Sequence, residues 1–170
     1  MKSLGRIAGR LGMGLVAGAA GTAALTIVQM IEMRVSGRDP STAPADAVDE
    51  LAGIAPDKEE KRERFSNAVH WAYGSGLGMV RGLLGSLPLP ERVADLAFMA
   101  TAWGAPMAFL PALDIAPPPN EWDPKQIAMD FGHHVVYAGT VALVWHLLDR
   151  ESPIVEEKFS LGDWSIVRAA

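Results

Sequence analysis

Five side chains are of a kind that could do chemistry together: Glu32, His70, Asp130, His133 and His134. Carboxylates and imidazoles bind first-row metals, imidazoles carry haem, and histidine passes protons near neutral pH. Three readings stand side by side. As structural groups, these residues would hydrogen-bond across helices or meet lipid headgroups at the membrane boundary. As metal ligands, His70 and His134 with Glu32 or Asp130 make a set that zinc, iron or manganese accepts, Asp130 orienting an imidazole from behind. The Glu-x-x-His pairs of dimetal bundles are absent. As haem ligands, His70 and His134 would be axial, and the same residues could relay protons. With one such pair, electrons would have no second haem to pass to across a bilayer.

Other chemistries are excluded more simply. The chain has no cysteine, so disulfides, thiolate metal sites and cysteine nucleophiles are absent. It has no phosphate loop, no G-x-S-x-G and no H-E-x-x-H. The glycines from Gly9 to Gly14 follow no strand and do not read as a nucleotide fingerprint. The net charge of −5 comes with no basic patch, which argues against nucleic acid as a partner.

The elements that must position the five residues are set by where charge is missing. Hydrophobic residues make up 49% of the 170, an ordinary share. Their distribution is not ordinary. Residues 11–31 contain no ionisable group, whereas 56–64 are almost wholly charged. A bilayer imposes that segregation, because charge is costly in hydrocarbon. Spans are expected at about 11–31, 65–87, 93–113 and 127–148, each near the ~20 residues a crossing helix needs. Pro106 should kink the third span rather than end it. The basic leader Lys2, Arg6 and Arg10 before an apolar run also fits a signal peptide, but the length of the run favours a retained first span.

The fold class expected is therefore all-α, a single integral membrane domain built as a four-helix bundle. Its first connection, 34–64, should be polar and helical. Ser41 or Thr42 is placed to cap a short helix with Pro44 in its first turn and Gly53 at its end. Pro56 should open a second helix, supported by the pairs Asp57–Lys61 and Glu60–Arg64, that runs into the second span. Leu87-Pro88-Leu89-Pro90 makes a tight hairpin. Pro117-Pro118-Pro119-Asn120 follows the third span, and Trp122 fits an interfacial anchor. The tail 149–170 should lie outside the membrane.

Helical periodicity assigns the faces. Gly14, Gly18, Gly21, Leu25 and Glu32 share a stripe in the first span. His70, Gly74, Leu77, Gly78, Arg81 and Gly85 share one in the second. Gly74, Gly78 and Gly82 form a tandem G-x-x-x-G, which lets helix backbones approach closely. In the fourth span Asp130, His134, Tyr137, Val141 and Leu148 share a face, with His133 at its edge and His146 opposite, near the helix end. Antiparallel threading brings Glu32, His70, Asp130, His133 and His134 into one leaflet. Arg81 and Asp95 fall toward the other, where they should form an ion pair. His70-Trp-Ala-Tyr73-Gly74 echoes His134-Val-Val-Tyr137-Ala138, which suggests a 2+2 internal repeat.

An even number of spans puts both termini on one side. The positive charges are nearly balanced, and the basic leader favours that side being cytoplasmic.

From His70 opening the second span, Pro117-Pro118 after the third, Trp122 before the fourth, Phe131-Gly132-His133 opening it and Asp149-Arg150 leaving it, the chain resembles the YagU-like inner-membrane proteins over about residues 69–150. The family's histidine falls on His133 by the Phe-Gly-His register and on His134 by the internal repeat. The resemblance implies a multi-span inner-membrane protein without an assigned reaction. The function expected is that of a non-enzymatic accessory or stress-related membrane component. The alternatives are a metal- or haem-binding protein built on His70 with His133 or His134, and a small proton-linked transporter or channel. The partners expected are the lipid bilayer and a second copy or another membrane protein.

Overall fold

The computed structural model describes residues 2–56 and 58–151. The Asp57–Lys61 pair and the tail beyond 151 lie outside the described residues. Within them the fold is all-α, with no strand: α1 (Lys2–Ser36), α2 (Ala43–Ala52), α3 (Glu59–Leu84), α4 (Glu91–Ala112) and α5 (Pro124–Glu151), plus a single 3₁₀ turn at Pro119–Glu121. Three helices are long and apolar enough to cross a membrane: Leu4–Ser36, Glu91–Ala112 and Pro124–Arg150. Four were expected; by length and composition α3 is not among the three. The 26-residue α3 has the length. Its apolar half is diluted by His70, Arg81 and the glycines 74, 76, 78 and 82, and its N-terminal part is charged.

Side-chain contacts give the threading. Gly14 lies against Gly78 and Gly82, and Thr26 against His70, so α1 and α3 are antiparallel. Tyr137 reaches Gly74 and Trp145 lies against Arg81, so α3 and α5 run parallel. Trp103 meets Phe131 and Phe98 meets Tyr137, so α4 is antiparallel to α5. The chain therefore runs up and down through α1, α3, α4 and α5. One end of the bundle carries the 85–90 hairpin; the other carries the 37–58 and 113–123 connections.

The core is small and specific: Ala17, Phe98, Ala102, Tyr137, Ala138, Val141 and Trp145. The α1–α3 contact is closer than ordinary side-chain packing. A Cβ added at Gly18 would meet the Ser75 carbonyl oxygen at 2.5 Å, and one at Gly78 would run into the Gly14 backbone. Only hydrogen at these positions lets the two backbones touch, which gives dispersion and weak Cα–H contacts in place of side chains. Leu, Ile, Val and Met side chains project outward instead, among them Val16, Ile27, Leu83, Leu96, Val135 and Leu143. That inside-out distribution suits helices surrounded by hydrocarbon.

The ends follow local chemistry. Gly37 (φ +72°) terminates α1 and Gly53 (φ +63°) terminates α2, both in the left-handed region that glycine reaches without a Cβ clash. Thr42 stands at the N-cap of α2 but makes no capping bond; its hydroxyl donates to Asp46 Oδ2 at 2.7 Å. Helix α3 opens at Glu59 rather than Pro56. Helix α4 continues through Pro106 and Pro111. Glu60 pairs with Arg64 at 2.7 Å on a fully solvated surface, and Arg62 ties α3 to Asp46 of α2 at 3.2 Å.

Candidate functional site

The five predicted residues do not converge. Glu32, at the end of α1, is turned along its own chain. Its Oε2 accepts from Arg38 Nη2 at 2.8 Å and its Oε1 from Ser36 Oγ at 2.6 Å. His70 Nε2 lies 3.1 Å from Thr26 Oγ1, linking α3 to α1. Asp130 Oδ2 accepts from Trp103 Nε1 of α4 at 3.0 Å. His134 Nδ1 donates to the Asp130 carbonyl one turn back at 2.9 Å, which turns its ring along its own helix. His133, taken as an edge residue from sequence, is the buried one of the two at 7% exposed.

Among the described residues, no three of these carboxylates and imidazoles are close enough to hold a metal. The metal reading therefore loses its ligand set. Several of these groups are engaged elsewhere: Glu32 with Arg38 and Ser36, Asp130 with Trp103, and His70 with Thr26.

The two tyrosines of the sequence echo have different surroundings. Tyr137 is in the core and donates to the Gly74 carbonyl at 2.6 Å, bridging α5 to the glycine face of α3. Its counterpart Tyr73 is 39% exposed.

The densest polar constellation is at the other end of the bundle, beside the hairpin. Arg81 is completely buried. Its Nε donates to Asp95 Oδ1 at 2.8 Å and its Nη2 to Glu91 Oε2 at 2.6 Å. Its guanidinium lies over the Trp145 ring, 4.6 Å from the centroid, a cation–π contact in a site closed to solvent. His146 Nε2 lies 2.9 Å from Asp95 Oδ2. Arg81 Nη1 and Trp145 Nε1 are buried without a hydrogen-bond partner in the protein.

Three elements build this site for identifiable reasons. Glu91 and Asp95 are one turn apart, so they share the face of α4 that continues into buried Phe98 and Ala102. Arg81 continues the Gly74–Gly78 stripe of α3. Trp145 continues the Tyr137–Val141 stripe of α5 at four-residue spacing. Each of these extensions could have been read from periodicity, yet Glu91 and Trp145 were not singled out from sequence. His146 was expected to point away from the bundle toward the boundary. Instead it meets α4, its Nε2 lying against Asp95.

No protein-family model matches the chain, and neither does any curated protein or solved structure.

Proposed function

We propose that the chain is a multi-pass protein of the cytoplasmic membrane in which α3 is the fourth crossing helix, and that it serves as a non-enzymatic accessory component. The observation that carries this reading is Arg81. It is the charge that most weakens α3 as a span, and it is fully enclosed against Asp95, Glu91 and Trp145. A charged group sealed between helices costs far less in a bilayer than one facing lipid. The exposed apolar side chains of α1, α4 and α5 suit contact with acyl chains. The resemblance to YagU-like inner-membrane proteins supports the same location. A non-enzymatic role is supported by the way the predicted ligand residues are spent: His70 on Thr26, Asp130 on Trp103, Glu32 on Arg38.

Metal analysis and a visible spectrum of protein purified in detergent test this role. A colourless, metal-free and folded preparation is expected. Stoichiometric metal or a haem band lost in His70→Ala would contradict it and restore the cofactor alternative.

A further inference from the structure

Helix α1 ends in a return that builds a groove. Gly37, left-handed at φ +72°, closes the helix with its N–H on the Met33 carbonyl at 2.9 Å and turns the chain back. Arg38 is then pinned against the last turns, its Nε and Nη2 donating to Glu32 Oε2 at 3.2 and 2.8 Å. Between the helix and the returning segment lies an open groove of about 310 Å³, lined by Met30, Met33, Arg34, Arg38 and Pro40. Three of these residues are apolar and the other two are arginines. The arginines are not equivalent. Arg38 is compensated by Glu32, whereas the guanidinium of exposed Arg34 has no hydrogen bond or ion pair to any described residue.

The groove lies where α1 leaves its apolar stretch. Residues 11–31 carry no ionisable group, and Glu32 and Arg34 are the first after it. Met30, in the groove wall, is 47% exposed, and its neighbour Ile31 is 59% exposed. We propose that the groove holds one anionic phospholipid, its headgroup phosphodiester on Arg34 and its upper acyl chain on Met30, Met33 and Pro40. The guanidinium fork matches phosphate oxygens, and basic pockets beside spanning helices take anionic headgroups in this way. Charge and apolarity together select the occupant. A soluble anion would leave the methionines against water. An uncharged lipid would leave Arg34 uncompensated, and a zwitterionic headgroup brings its own ammonium to the phosphate. Glu32 does not compete for Arg34, because its two oxygens are spent on Arg38 and Ser36. Asp39 does not line the groove.

The proposal rests on the membrane reading of α1, which is tested separately: after a carbonate wash the chain should stay in the membrane pellet. The lipid is tested by native mass spectrometry of the full chain in detergent, titrated with phosphatidylglycerol or with phosphatidylcholine. The first phosphatidylglycerol should bind about fivefold more tightly than the first phosphatidylcholine, the increment of one arginine at a membrane surface. Arg34→Gln should bring that ratio close to one. Arg64→Gln removes an exposed cation of α3 at the same end of the bundle and should leave the ratio as in the wild type. Met30→Gln should weaken both lipids alike, because it alters the apolar wall and not the charge. Excess inorganic phosphate should not displace phosphatidylglycerol, since it offers nothing to the methionines. Displacement by phosphate alone, equal binding of the two lipids by the wild type, or a preference kept in Arg34→Gln overturns the proposal. With the chain retained in the pellet, any of these results leaves the membrane reading standing.

Discussion

At the scale of single residues, polar groups inside this bundle act as ties between helices. Arg81 is the strongest. Removing a partner from a buried charge pair typically costs about 3–5 kcal/mol, because the remaining charges lose their compensation. Arg81→Ala should therefore lower the melting temperature markedly in detergent, and Arg81→Met combined with Asp95→Asn should recover part of the loss. Equal melting of Arg81→Ala and wild type would refute the tie. Tyr137→Phe isolates one hydrogen bond, to the Gly74 carbonyl, with little change in volume. It should cost about 1 kcal/mol, measured the same way.

The residue scale is also where the sequence was least legible. Periodicity puts Arg81 and Asp95 at the same depth, and they meet at 2.8 Å. It also puts Glu32, His70, Asp130 and His134 in one leaflet, but a shared depth is not a shared point. Whether side chains converge depends on rotation of each helix about its axis and on nearer partners. Thr26, Trp103 and Arg38 are such partners, and no hydropathy pattern reports them.

At the scale of elements, the glycine face of α3 is the organising feature. Gly74, Gly78 and Gly82 meet Thr22, Gly14 with Gly18, and the Arg10 backbone in turn. At Gly78 the obstruction is backbone, which cannot swing aside, so the cost of a side chain is separation of the helices. Gly78→Leu should destabilise by about 3 kcal/mol or prevent folding, consistent with overpacking of a tight contact. Gly76→Ala is the matched control, since a Cβ there has open space. It should leave stability unchanged or raise it slightly through helix propensity. Similar melting curves for Gly78→Leu and Gly76→Ala would remove the argument for close approach. This element-level pattern was readable, because four-residue spacing of glycine in an otherwise apolar helix has few other uses. The start of α3 was less so. Pro56 suggested an opening position, while the helix begins at Glu59, where two acidic residues favour the N-terminal end of the helix dipole.

At the scale of the whole molecule, hydropathy and enclosure give different accounts of α3. By composition only α1, α4 and α5 are candidates to cross a membrane. By packing, α3 lies antiparallel to α1 over its glycine face and carries its one deep cation into a closed site. Taken alone, a helix bearing Arg81 would be a poor span; with Asp95, Glu91 and Trp145 around it, the charge does not face lipid. A chain without cysteine allows the topology to be read one position at a time. Ser41→Cys, Leu89→Cys and Asn120→Cys report the first connection, the hairpin and the third connection, and all three positions are exposed. Labelling each variant in intact cells with a membrane-impermeant maleimide, before and after permeabilisation, measures the sidedness directly. Four crossings predict that Ser41→Cys and Asn120→Cys label from outside and Leu89→Cys only after permeabilisation. Labelling of Ser41→Cys and Leu89→Cys from the same side, with Asn120→Cys on the other, would mean that α3 does not cross.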